Sequence, residues 1–171
     1  MDNWEKWIMN PIKKGIFAIT LLISHICIAQ VSDDWMLYRK DFKDIAGKNT
    51  VSVTSYEKDG THYVYAGGIG NVDVYSLDKE GLLTPISNHE LHKKEGPARG
   101  MVADNINGTD FLFVANKHGN VIETFKILSN GALERVALVE DTDETYLGTA
   151  ITLEVIHMKN DAYLFIGGLE E

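Results

Sequence analysis

The sequence is poor in residues that cross-link, kink or attract polyanions. Cys27 is its single cysteine, so no disulfide can form within the chain, and it has only three prolines. Acidic side chains outnumber basic ones, 25 to 16, for a formal charge of −9. Nucleic acids and anionic lipids need a basic face, so we expect neither as a partner. The chain also lacks a Gly-rich phosphate loop, a zinc motif and a nucleophile elbow, and we expect no cofactor.

The first 29 residues have the order of a secretory signal peptide. Lys6, Lys13 and Lys14 precede an uncharged apolar run, residues 15–29, which ends in the small residue Ala29. Fifteen residues are fewer than the about 20 that span a bilayer. We therefore expect cleavage after Ala29, a periplasmic or extracellular protein, and no stable membrane span after that cleavage.

Three alternatives remain open at the N-terminus. An uncleaved membrane anchor would use the same apolar run. A lipoprotein would be modified at Cys27, but the bulky Ile26 precedes it where a small residue is required. Translation from Met9 instead of Met1 would give a leader without Asp2 and Glu5.

The rest of the chain carries an internal repeat of about 50 residues. The segments GTHYVYAGG and GTDFLFVAN are 48 positions apart, and GLL at 81–83 matches GAL at 131–133 at a distance of 50. Asp161 to Tyr163 follows Thr109 to Phe111 at a distance of 52. A fixed period of this length is the signature of a repeat architecture.

Each unit divides into four short strand candidates, here residues 51–56, 62–66, 72–77 and 82–87 in the first unit. Asp59-Gly60 and Asn107-Gly108 are tight hairpin turns, because both residue types accept positive φ. The second strands, YVYA, FLFV and YLFI, are apolar on both faces, which is typical of a strand covered on both sides. A buried central strand between mixed outer strands is what a β-propeller blade requires.

The sequence therefore predicts an all-β fold. After the signal peptide comes an irregular lead-in, residues 30–50, with either a strand or a short helix around residues 41–47. Two four-stranded blades follow, residues 51–98 and 99–150, and then the start of a third, residues 151–171. The result is a partial β-propeller. A β-sandwich with a coincidental likeness between its hairpins is the alternative.

The repeat resembles the blades of the lactonase-like β-propellers, a group that includes 6-phosphogluconolactonases and carboxymuconate-cyclising enzymes. The matching positions in the second unit are Gly96-Pro97, Phe111 to Asn116, Gly119 to Val121, Phe125 and Gly131 to Leu133, and in the first unit Tyr63 to Gly68, Val72, Val74, Tyr75 and Gly81 to Leu83. These motifs specify the blade and carry little information on chemistry.

The number of blades conflicts with a closed ring. Propellers close with four to eight blades, whereas this sequence holds two and the start of a third. We expect a fragment of a longer reading frame, with the remaining propeller blades as partner. A ring made of several copies is the less favoured alternative.

The inter-blade loop SNHELHKKEGPARG, residues 87–100, holds the candidate site. The resemblance implies a hydrolase of a sugar-acid lactone, but the family's catalytic residues come from several blades and are not carried over to this chain. The residues of the loop itself suggest His92 as a base and Arg99 as the cation that holds a carboxylate or phosphate. The competing interpretation is a solvated loop. His89 and His92 are three residues apart, and on a strand such residues face opposite sides, so they do not predict a metal site. The acidic loop at residues 140–144 lacks the ligand spacing of a calcium loop.

Three functions remain in competition. The favoured one is an exported, non-catalytic propeller module that binds an unknown small molecule or protein, or serves as a scaffold. The second is the lactonase-like hydrolase, incomplete in this chain. The third is a repeat segment of a larger cell-surface protein.

Overall fold

The computed structural model describes residues 26–31, 37–43, 50–145 and 147–169. All regular structure within these ranges is β-strand, and none of them forms a helix that could cross a membrane. β1 (Ile26–Val31) and β2 (Leu37–Lys43) form an antiparallel hairpin. Of the two alternatives for the lead-in, a strand therefore occupies Leu37–Lys43. Residues 1–25 of the predicted signal peptide lie outside the described ranges. Its last four residues begin β1, so the predicted cleavage after Ala29 would leave only Gln30 and Val31 of that strand.

Two four-stranded antiparallel sheets and a two-stranded sheet follow. The strands of the first are β3 (Ser52–Lys58), β4 (Thr61–Gly67), β5 (Asn71–Leu77) and β6 (Leu83–Glu90). The second contains β7 (Ala98–Ile106), β8 (Thr109–Asn116), β9 (Val121–Ile127) and β10 (Leu133–Glu140). The third contains β11 (Ala150–Met158) and β12 (Asp161–Gly168). Each sheet is a meander in which consecutive strands are neighbours, so the predicted blades are confirmed.

The predicted hairpin turns have the backbone that their residues favour. Asp59 and Gly60 have φ of 52° and 77°, and Asn107 and Gly108 have 53° and 82°. Two successive positive φ values belong to the tight turn whose twist matches that of the flanking strands. These turns fix the strand register in both blades.

The sheets stack face to face and bury two apolar layers. Between the first and second sheets, Tyr63 and Tyr65 pack in one cluster with Leu112, Phe125 and Leu133. Between the second and third, Phe113 and Ile122 pack in a cluster with Leu153 and Val155. The innermost strands β3, β7 and β11 are neighbours in space, as in the inner wall of a propeller.

The ladder registers place equivalent residues of the three units at matching positions. Tyr56 opposite Tyr63, Asp104 opposite Phe111 and Ile156 opposite Tyr163 occupy the same site in each hairpin. Tyr65, Phe113 and Phe165 are likewise equivalent, yet Tyr65 is fully buried, Phe113 is 8% exposed and Phe165 is 52% exposed. The expectation of a second strand covered on both sides is therefore right for β4 and β8 and wrong for β12. No described sheet lies on the outer face of β11 and β12.

Each sheet has two ends that differ in their loops. The "connector end" carries the loops that join one sheet to the next, which include residues 91–97, 141–145 and 147–149. It also carries the β4–β5 and β8–β9 turns. The "turn end" carries the tight hairpin turns at 59–60 and 107–108. Polar side chains cluster at both ends, and they are the candidates for function.

Candidate functional site

The loop predicted at residues 87–100 is shorter in the structure, residues 91–97, because both its ends belong to strands β6 and β7. This shorter loop is closely packed against both complete sheets. The N–H of Leu91 donates to the carbonyl of Gly70, and the N–H of Gly70 donates to the carbonyl of Gly96, both at 2.9 Å. The fully buried Asn116 donates from Nδ2 to the carbonyl of Lys93 at 2.7 Å. A Cβ at Gly96 would overlap the Asn116 amide. The loop backbone is thus fixed by the fold.

Glu123 on β9 is fully buried at the connector end. Its Oε1 accepts the backbone N–H of His92 at 2.8 Å, and its Oε2 accepts Nε–H of Arg135 at 2.7 Å. A terminal guanidinium nitrogen of Arg135 also donates to the carbonyl of Glu90 at 2.5 Å. One carboxylate therefore joins two strands of the second sheet to the loop that leaves the first. Because both its oxygens are engaged, it has a structural role in this arrangement.

The structure does not bring the predicted pair, His92 and Arg99, together. His92 Nε2 lies 3.6 Å from the carboxylate of Glu140, which ends the outermost strand β10. Arg99 is an exposed residue in the bulge that begins the innermost strand β7. Three inter-strand spacings separate β10 from β7, roughly 14 Å. No hydrogen bond or ion pair joins the Arg99 side chain to another residue within the described ranges.

His89, on β6, faces the second sheet. Its ring meets Phe125 edge-on, with centroids 6.4 Å apart, and its Nε2 lies 3.2 Å from the backbone N of Leu133. Burial lowers the pKa of His89, and the nearby Arg135 lowers it further. A neutral ring that accepts a backbone N–H packs the sheets together. His89 and His92 therefore do not act as a pair.

A second polar cluster, which the sequence did not predict, lies between the sheets at the turn end. Asp110 at the start of β8 accepts hydrogen bonds from Tyr56 at 2.6 Å, from Asn105 at 2.5 Å, and from Lys58. Burial would raise the pKa of Asp110, but the hydrogen bonds from Lys58, Tyr56 and Asn105 outweigh it and lower that pKa to about 2. Burial and the bond to Asp110 raise the pKa of Tyr56 to about 12.

The next pair of sheets has a simpler link at the equivalent place. Asp104 and His157 correspond to Tyr56 and Asn105, and the carboxylate of Asp104 lies 2.8 Å from Nε2 of His157. At both junctions between sheets, polar side chains at the turn end of the inner strands therefore link one sheet to the next. Different residue types form the two links, so the repeat pattern in the sequence carried no signal for them.

The described residues include no group of three or more metal-ligating side chains. A cleft of about 150 Å³ opens beside the second connector, between Leu147, Ala150, Ile166 and Gly168. Ligand pockets are usually 300–1,000 Å³, so this cleft is small for a substrate. Beside it the carboxylate of Asp141 accepts the backbone N–H of Leu147 at 2.6 Å, so this polar group also bonds to the backbone.

Comparison with known proteins supports the fold alone. No protein-family model and no curated protein matches the sequence. A crystal structure of a protein from Lactobacillus plantarum, a structural genomics target, matches with a TM-score of 0.51 and 18% identity. The match covers 82% of this chain and 43% of that one, so the chain spans less than half the length of its structural neighbour. That neighbour is a lactonase-like β-propeller, and at this identity the two are related in fold.

Proposed function

We propose that this chain is an exported, non-catalytic β-propeller module that serves as a binding or scaffold unit and that further blades complete it. The observation that carries the non-catalytic role is the state of Glu123. This buried carboxylate is fully engaged by Arg135 and by the backbone of His92. The candidate base thus belongs to a loop held for structural reasons, and its partner Arg99 lies on another strand.

Two observations support the need for further blades. Phe165 is exposed, whereas the equivalent Tyr65 and Phe113 are buried against the next sheet. A closed propeller needs at least four blades, and the chain covers 43% of its structural neighbour. The partner that these features favour is another blade stacked on the outer face of β11 and β12.

Hydrolysis of a sugar-acid lactone is the direct test of the non-catalytic role. We expect the purified full chain, and the complete protein if the reading frame is longer, to open the lactone no faster than buffer does. Turnover that falls at least tenfold in both His92→Ala and Arg99→Ala would refute the proposal and establish the hydrolase.

Export is tested by the mass of the protein recovered from the periplasm or medium of an expressing bacterium. We expect a chain that begins at Gln30. A chain that keeps residues 1–29 and stays in the cytoplasm would contradict export and leave the module's structural role unaffected.

A further inference from the structure

The outer edge of β12 lacks the strand that its equivalents have. β4 is paired on that edge by β5, and β8 by β9. β12 pairs with β11 on one side, and no described strand pairs with it on the other. Residues 162–168 contain no charge and no proline, the two devices that usually protect an exposed edge.

The side chains beside this edge are exposed where their equivalents are covered. Ile166 is 40% exposed, whereas the equivalent Val114 is fully buried and Ala66 is 1% exposed. Val139 on β10 is 45% exposed, whereas the equivalent His89 packs on Phe125. The cleft next to Ile166 lies at the same place. Edge, side chains and cleft together outline the footprint of two missing strands.

The ladder registers specify the chemistry of the strand that would fill it. An aromatic residue faces the central position in both complete sheets, since Val64 pairs with Tyr75 and Leu112 pairs with Phe125. On the same third strand, two residues before the aromatic, lies a buried carboxylate. Asp73 pairs with Ala66, and Glu123 pairs with Val114. The third strand of a blade in this chain therefore carries an acid, any residue, and an aromatic.

We propose that the outer edge of β12 binds an antiparallel pair of β-strands whose first strand carries this acid–x–aromatic pattern, with the aromatic opposite Leu164 and the acid opposite Ile166. This inference rests on the proposed incomplete propeller and names the partner of its open edge. β1, ICIAQV, lacks the pattern, so the β1–β2 hairpin of a second copy does not meet the requirement. The backbone bonds give affinity, and the two side chains set the register.

The chain provides its own probe, a synthetic peptide of residues 120–140 that forms β9 and β10. Hydrogen exchange of the full chain is followed with and without this peptide. With this peptide we expect exchange at least tenfold slower at the alternate amides of residues 161–168. A peptide of the same composition in shuffled order is expected to leave the exchange rates unchanged. A photo-crosslinker in place of the peptide's Phe125 is expected to label the segment around Leu164.

Matched variants separate the edge from general surface effects. Ile166→Lys lies in the footprint and is expected to abolish protection by the peptide. Leu82→Lys, at a residue 42% exposed in the β5–β6 turn of the first sheet and therefore far from β12, is expected to leave it unchanged. Circular dichroism checks that both variants keep their β-structure.

Two results would overturn the proposal. One is a folded chain whose β12 amides exchange equally fast with the native and the shuffled peptide. The other is a discrete dimer in which β12 is protected without peptide and the peptide does not displace the second copy. The lactone assay does not involve β12, so strand capture and the non-catalytic role can fail independently.

Discussion

At the residue scale, two glycines in the same backbone conformation have different tasks. Gly108 and Gly131 have φ of 82° and 81°. A Cβ at Gly108 would have no atom within 4 Å, whereas a Cβ at Gly131 would overlap the ring of Tyr63 on the neighbouring sheet. One glycine is required by its turn alone, and the other also by the contact between blades.

This difference predicts unequal costs for the same substitution. Gly108→Ala should lower the free energy of unfolding by about 1–2 kcal/mol, the cost of a left-handed conformation for a residue with a Cβ. Gly131→Ala should cost about 1–3 kcal/mol more, because the methyl group must displace Tyr63. Urea midpoints from pulse proteolysis, which needs little protein, measure both. Equal costs would show that Tyr63 does not pack on that turn.

The charge of Asp110 predicts how stability depends on pH. Its pKa in the folded chain is about 2, below the usual 3.8, so its contribution is complete above about pH 4 and is lost as the pH falls towards 2. Allowing for solvent screening, we expect about 1–2 kcal/mol. Asp110→Asn should lower the urea midpoint at pH 6 and reduce its change between pH 4 and 2. If the urea midpoint of the variant changed between pH 4 and 2 as much as that of the parent, Asp110 would not be the charged centre of this cluster.

At the element scale, the strands follow from local sequence and the links between sheets do not. The Asp-Gly and Asn-Gly turns and the 50-residue period predicted the two complete blades to within a few residues. The ion pair of Glu123 with Arg135 and the cluster around Asp110 could not be predicted, because their members meet only when the sheets stack. His92 and Arg99 were assigned to one site because they lie seven residues apart in one predicted loop. In the structure the order of the strands separates them.

A substitution of Glu123 tests the link between the second sheet and the loop that leaves the first. Glu123→Gln keeps the size of the side chain but places an amide against the guanidinium of Arg135. Because the buried acceptor of the His92 N–H loses its charge and the exposed guanidinium of Arg135 loses its charged partner, we expect a loss of about 1–3 kcal/mol in the free energy of unfolding. Glu134→Gln, on the exposed side of β10, should change it by less than 0.5 kcal/mol. Similar losses in the two variants would argue against the Glu123 link.

At the scale of the whole molecule, the described chain is two finished blades and the inner half of a third. Ile156, Tyr163 and Phe165 form an apolar face, each more than 40% exposed. An exposed face and an open edge of this kind promote association. The sequence predicted the incomplete blade by counting strands, and the structure adds which side chains are left uncovered.

Heating the purified full chain at several concentrations, while scattering and β-structure are recorded, tests whether its apolar face and the edge of β12 are uncovered. We expect aggregation that grows with concentration, unfolding that does not reverse, and a larger soluble fraction for a Tyr163→Lys, Phe165→Glu double variant. A monomer that melts sharply and reversibly at every concentration, with no gain from the double variant, would contradict this expectation.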